Sequence, residues 1–317
     1  MEATFNIQRY HPERDVAPTM QEFKLDVPEG ATVLDCLNLI KWTQDGSLTF
    51  RMSCRSAICG SCSMKVNGHA MLVCSKQLTD VVKDGKVTIQ PMGNMEILKD
   101  LAVDLTPFFK SLESVDPWLK PDIYKPVDRE RRQSQKDFKK IDGASTCILC
   151  ASCYSDCNVL EIDKKFLGPA TYVKVQRFIY DTRDEALEQR VDQMNELHGV
   201  WDCTHCAECS TRCPTDADPL HRITQIKTAI MEQGLTSNSG ARHTLGFRES
   251  VNWWGNLNEN YLPGRSMGFF NIRGLLSIMP VGIRMFLRRK NPPLLHHAIE
   301  RVSEIKKLFR RFEELRK

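Results

Sequence analysis

Twelve of the 13 cysteines in this 317-residue chain fall into three tight groups. Cys54, Cys59 and Cys62 stand as Cys-x4-Cys-x2-Cys, and Cys74 follows them. Cys147, Cys150, Cys153 and Cys157 form a Cys-x2-Cys-x2-Cys-x3-Cys run, and Cys203, Cys206, Cys209 and Cys213 repeat it, with Pro214 immediately after. Thiolates are soft ligands that hold iron in tetrahedral sulfur sites, and four of them complete a [2Fe–2S] or a [4Fe–4S] cluster. The first spacing is a [2Fe–2S] ligand pattern and the two runs are [4Fe–4S] patterns. Three such groups on one chain describe a path for single electrons.

Each group has features that the chemistry needs. Gly60 and Ser61, between the second and third cysteines of the first group, let the backbone come close and aim its amides at a negatively charged cluster. Cys74 arrives from the far side of an Asn67-Gly68 hairpin signal and closes the cage. In paired runs of the second kind, the last cysteine of each run ligates the other run's cluster. That rule assigns Cys147, Cys150, Cys153 and Cys213 to one [4Fe–4S] cluster and Cys157, Cys203, Cys206 and Cys209 to a second. Pro214 ends its loop by fixing the backbone and removing a donor. The bland reading is zinc, since Cys-x2-Cys pairs commonly build Zn(Cys)4 sites. It must explain four cysteines within eleven residues, twice, beside a separate Cys-x4-Cys-x2-Cys. A disulfide scaffold fits neither the chain's size nor its lack of an export signal. The thirteenth thiol, Cys36, lies on a helical stretch and reads as core.

The elements that must position these groups fall into three regions. Residues 1–105 read as a small β domain. Phe5 to Tyr10 and Glu22 to Val27 alternate like half-buried strands, and Thr32-Val33-Leu34-Asp35 opens a helix with a capping box. Met64 to Val66 and Ala70 to Val73 flank the hairpin turn, and Val87 to Gln90 adds a strand. Strands wrapped on one helix, with a cysteine loop between, fit a β-grasp ferredoxin of the plant type. A proline-bearing stretch, Asp116 to Arg132 with Pro117, Pro121 and Pro126, reads as a linker. Residues 106–240 form an all-α region carrying the two runs, with helices over Asp184–His198 and His221–Gln233. Residues 241–317 hold no cysteine and read as a basic helical extension. There Met267–Arg289 is amphipathic, broken by Gly274, Pro280 and Gly282, and a final helix carries Leu295, Ala298, Val302, Ile305, Phe309 and Phe312 at steps of three and four. The fold class expected is α+β.

Charge is nearly balanced, +4 overall, which argues against nucleic acid as a partner. Residues 284–317 hold 11 Lys/Arg against 4 Glu, so the basicity is concentrated in the tail. Met1 to Tyr10 has no secretory pattern, and no apolar run has transmembrane length. Many thiols without an export signal point to a reducing compartment and a cytoplasmic location. Apolar residues beside arginines in the tail suit a helix lying on an anionic membrane surface. They also suit docking on a partner subunit, which the Leu295–Phe312 seam favours.

Over residues 1–235 the chain resembles the iron–sulfur subunits of succinate dehydrogenases and fumarate reductases. The residues that carry the likeness are Cys54-Arg55-Ser56-Ala57-Ile58-Cys59-Gly60-Ser61-Cys62, Leu98 to Asp104, Cys147-Ile148-Leu149-Cys150 and Cys213-Pro214. The resemblance implies one [2Fe–2S] cluster, a helical two-cluster domain and a separate FAD-bearing flavoprotein subunit that interconverts succinate and fumarate. It also implies a quinone or other acceptor at the membrane, with the complex peripheral on the inner face of the plasma membrane. Three departures stand out. Common members lack the second cysteine of the last run and hold a [3Fe–4S] cluster there. Cys206 fills that place here, so a second [4Fe–4S] cluster of lower potential is expected, reverting to [3Fe–4S] only if Cys206 is not a ligand. Asn158, the Val159 to Ile162 stretch and Thr204 stand where the common quinone-site Pro, Trp and His would be, and His205 beside them reads as a hydrogen-bond donor to the cluster. The tail is the third departure. Together they resemble the E-type branch, whose membrane partner is a cysteine-rich, heterodisulfide-reductase-like subunit.

Two other functions compete with the electron-transfer subunit: a free multi-cluster carrier and a zinc-stabilised interaction module. The large tail argues against the first. The chain has no dinucleotide fingerprint and nothing that marks a carboxylate-binding site, so no catalytic residue is assigned.

Overall fold

The structure is a computed structural model that describes residues 2–122, 124, 130–293 and 295–315. Part of the expected linker, including Pro126, lies outside the described residues. The chain divides into two compact units, Met1–Ala229 and Ile230–Lys317.

In the first unit, β1 (Glu2–Arg9) pairs antiparallel with β2 (Thr19–Asp26). Along β1, Ala3, Phe5 and Ile7 face inward in strict alternation, as one buried sheet face requires. Helix α1 (Val33–Thr43) follows, with Thr32 as N-cap and Asp35 closing the capping box. Its buried Val33, Leu34, Leu37 and Ile40 meet the sheet. The hairpin β3 (Ser63–Val66) and β4 (His69–Leu72) turns at Asn67 and Gly68, both at positive φ. A one-turn α2 (Leu78–Val81) leads to β5 (Lys86–Gln90), which runs parallel to β1 and antiparallel to β3. The sheet order is therefore β2-β1-β5-β3-β4, and α1 covers one of its faces. A two-stranded ribbon, β6 (Ile97–Lys99) with β7 (Ala102–Val103), and α3 (Thr106–Glu113) end this half.

The rest of the unit is helical: α4 (Gln135–Ser145), α5 (Ser152–Ser155), α6 (Asn158–Ile162), α7 (Pro169–Ile179), α8 (Leu187–Asn195), a 3-10 turn at Val200–Asp202, α9 (Glu208–Thr211) and α10 (Pro219–Glu232). A mixed sheet followed by helices makes the chain α+β. Helix α8 is shorter than its amphipathic pattern suggests. Asp184, at the expected start, instead accepts from the Ala186 and Lys120 amides and from the Arg190 guanidinium. The expected linker is tied down at its first residues, because Arg190, 2 % exposed, donates to the carbonyls of Val115, Asp116 and Trp118.

The second unit contains α11 (Ser239–Trp254), α12 (Tyr261–Met267), α13 (Ile272–Leu287) and α14 (Val302–Leu315). Glu249 on α11 accepts from Arg265 and Tyr261 of α12. Helix α14 lies along α11, with Arg248 paired to Glu313 and Val302, Ile305 and Phe309 half-buried. Gly255, at φ 80°, permits this approach: a Cβ there would stand 2.4 Å from Ile299. The breaks expected at Gly274, Pro280 and Gly282 do not occur. Helix α13 runs through all three, since Gly274 completes its cap by donating to the Asn271 side chain and Pro280 costs one exposed backbone bond.

Candidate iron–sulfur centre

Residues 54–62 wrap around a patch of sulfur. The amides of Ser56, Ile58 and Cys59 reach the Cys54 sulfur at 3.3–3.4 Å, and the Ala57 amide reaches the Cys74 sulfur at 3.2 Å. Convergence of that many donors needs left-handed turns at Arg55, Ala57 and Gly60 (φ 58°, 57° and 73°). A nest of inward amides is built for negative charge. The Cys59 thiol is held down to about 6, chiefly by the Ser61 side chain and then by the Cys54 and Ser61 amides, whereas burial pushes Cys62 up to about 12.

The two later runs fold alike. Leu149 and Ala151 in one, His205 and Ala207 in the other, all adopt left-handed φ between 56° and 66°. Such angles are uncommon for residues with a Cβ. Their repetition at matching positions turns the amides of Leu149 and His205 onto the sulfurs of Cys147 and Cys203. A short helix follows each, α5 and α9. The donor that His205 supplies is thus its backbone amide. Lys174 bonds to the Cys147 carbonyl at 3.0 Å and Lys227 to the Cys203 carbonyl at 3.4 Å, so each run also has a lysine behind its first cysteine. Lys227 is 6 % exposed, lies over the Trp201 ring, and is pushed down by burial. These lysines and amides are the part that spacing alone did not reveal. The amides stand two positions after each first cysteine, but the lysines follow at 27 and 24 positions, so no shared spacing marks them.

Cys147, Cys150, Cys153 and Cys213 line one small cavity, walled by Ala170, Val173 and Ala217. Cys157, Cys203, Cys206 and Cys209 lie close enough to act on one another electrostatically. The amides of Val159 and Leu160, at the start of α6, turn onto the Cys157 sulfur. Burial pushes Cys153 well above the ordinary thiol range and Cys209 up to about 12. Such thiols ionise only against a compensating cation, so metal loading here releases protons. Asp163, His198 and Asp202 have ligand atoms all within 4.8 Å of one another, but among the described residues no three cysteines converge so tightly. Four thiolates on one zinc, with Zn–S about 2.3 Å, lie about 3.8 Å from each other. No three cysteine sulfurs among the described residues crowd as one zinc requires, and the all-thiolate donors fit iron–sulfur clusters.

Three contacts join the groups. A Cβ on Gly60 would stand 2.8 Å from the Cα and Cβ of Cys150, so only glycine lets the first cysteine loop touch the second. Asn94, at φ 63°, donates to the carbonyls of Tyr154, Ser155 and Cys157 and clamps the end of α5 to the sheet half. Asp156, between Cys153 and Cys157, accepts from the Ala70 amide and faces Lys65 and Arg212, each at 3.4 Å. Its partners lie on the β3–β4 hairpin and inside the last run, so one carboxylate bridges all three cysteine regions. Elsewhere, Cys36 is fully buried in the β-domain core, and burial pushes its thiol up to about 11. Asn158, Thr204 and Cys206 are exposed.

Fold and site together define a protein with a [2Fe–2S] domain followed by a helical dicluster domain. Residues 4–110 match the family model described as a 2Fe-2S iron-sulfur cluster binding domain, and residues 143–217 match that of a 4Fe-4S dicluster domain. A fumarate reductase iron-sulfur subunit from Mycobacterium tuberculosis is 41 % identical over 230 residues, 72 % of this chain and 93 % of that protein. The mitochondrial succinate dehydrogenase iron-sulfur subunit 1 of rice is 37 % identical over 233 residues, 72 % of this chain and 82 % of its own length. A chain of the Mycobacterium smegmatis Sdh1 complex in the apo form has the same fold, with a TM-score of 0.68 at 22 % identity, over 74 % of this chain and 98 % of its own. The chain belongs to the succinate dehydrogenase/fumarate reductase iron–sulfur subunit family.

Proposed function

We propose that this chain carries electrons, one at a time, between the flavin of a flavoprotein subunit and an acceptor at a membrane, in a complex that interconverts succinate and fumarate. When bound, the iron–sulfur clusters supply the one-electron chemistry. The chain's own residues set order and distance. Cys54, Cys59, Cys62 and Cys74 hold the [2Fe–2S] group, Cys147, Cys150, Cys153 and Cys213 the first [4Fe–4S], and Cys157, Cys203, Cys206 and Cys209 the second. The observation that carries the reading is the Gly60–Cys150 approach, which leaves no room for a side chain between the first loop and the second. Crossing Cys157 and Cys213 between the two runs ties the later groups to each other. Inward amides, with Lys174 and Lys227, offset the negative charge and favour the reduced forms.

Cys206 supports a second four-iron group at the far end, and Asn158 and Thr204 supply none of the usual quinone contacts. The acceptor is then a protein, of the cysteine-rich, heterodisulfide-reductase-like kind. The domain limits that follow are 1–105, 106–240 and 241–317. The complex sits peripherally on a membrane; no helix among the described residues is long and apolar enough to cross one. Adding succinate to the intact complex under argon should bleach the visible iron–sulfur absorbance, and fumarate should restore it. Absorbance indifferent to both would overturn the reading.

A further inference from the structure

We infer that α13 docks the chain directly on an anionic lipid bilayer. None of its 16 residues is buried within the chain. Ile272, Leu276, Met279, Ile283, Phe286 and Leu287 recur at helical steps and make one apolar stripe about 100° wide. Ile272, Phe286 and Leu287 are 70–76 % exposed. This stripe lines an open groove of ≈ 1170 Å³, whose other side holds Asn260, Pro263 and Pro292 and one carboxylate, Glu259.

Charge selects the occupant. Arg273, Arg284 and Arg288 fall together on a flank of the stripe, and Arg289 and Lys290 follow the helix end. None of these five pairs with a carboxylate among the described residues. From residue 260 to 299 the chain has no Asp or Glu. Unpaired cations flanking an exposed apolar stripe match phosphate headgroups above acyl chains. At 1.5 Å per residue, α13 is about 24 Å long, short of the ~30 Å hydrocarbon core, so it lies in the interface and does not span. The middle of the other apolar seam of the tail is used inside the unit, because Val302, Ile305 and Phe309 are half-buried where α14 lies along α11, while Leu295 and Phe312 at its ends stay exposed. The longest apolar surface the tail leaves open is the α13 stripe.

The test is co-flotation of the intact purified complex with vesicles of phosphatidylcholine alone or mixed with phosphatidylglycerol, at low and high salt. Binding should require phosphatidylglycerol and weaken with salt. The triple substitution Arg273→Gln, Arg284→Gln and Arg288→Gln should weaken it ~100-fold, at about fivefold per charge. Phe286→Asp should weaken it by at least ~10-fold. Both variants alter only exposed side chains, so subunit composition and iron–sulfur absorbance should match the parent complex. Equal binding to both vesicle types, or variants that float like the parent, would overturn the inference. So would variants that shed a subunit and lose flotation only with it, since α13 would then be a protein interface.

Discussion

Gly60 joins two requirements in one residue. Its φ of 73° suits a residue without a Cβ, and the space a methyl group would need is held by Cys150. Gly60→Ala should therefore destabilise the chain by ~1–3 kcal/mol. It should also broaden the two-iron EPR signal by loosening the 54–62 loop. Thermal unfolding together with EPR checks this, and an unchanged melting temperature would mean the contact is slack. At this scale the cysteine grouping was legible because ligand spacing is a local property. The left-handed angles at Leu149, Ala151, His205 and Ala207 were not, since nothing in leucine, alanine or histidine side chains asks for them. They arise because amides must face sulfur. Asn94 and Asp156 escaped for a related reason: their partners lie some 56 to 91 positions away, beyond any local pattern.

At the scale of elements, capping, alternation and hairpin signals placed α1, the β3–β4 turn and β5, because each rests on neighbours in sequence. Signals were weaker where a long-range bond overrides local preference. Helix α8 starts late because Asp184 is engaged by Arg190, with a nitrogen–oxygen distance of 2.9 Å and both side chains almost fully buried. The same guanidinium lies 4.7 Å from the Phe178 ring and holds three carbonyls of the segment after α3. Removing one partner of such a pair strands the other charge away from water. Arg190→Met should cost ~3–5 kcal/mol, read as a lower denaturant midpoint for loss of the iron–sulfur absorbance. A midpoint within error of the parent would show that the linker segment is held by something else. Helix α13 errs in the other direction: glycine and proline suggested breaks, yet an exposed helix tolerates them, because water can serve the freed backbone groups.

For the whole molecule, one compact unit carries all three cysteine groups and a second carries the basic tail. Asp156, Asn94 and Gly60 lock the sheet half to the helical half, so the spacing of the groups is built into the core of the unit. The tail adds what the shared family region lacks, an exposed apolar stripe with cations beside it. With Cys206 as a ligand, the far end of the path is expected to be a four-iron site. EPR of the intact complex, poised across a range of potentials, tests it most directly. The oxidised protein should show no three-iron signal, full reduction should give two interacting four-iron signals, and a three-iron signal should emerge only in Cys206→Ser. A strong three-iron signal in the oxidised parent protein would contradict it.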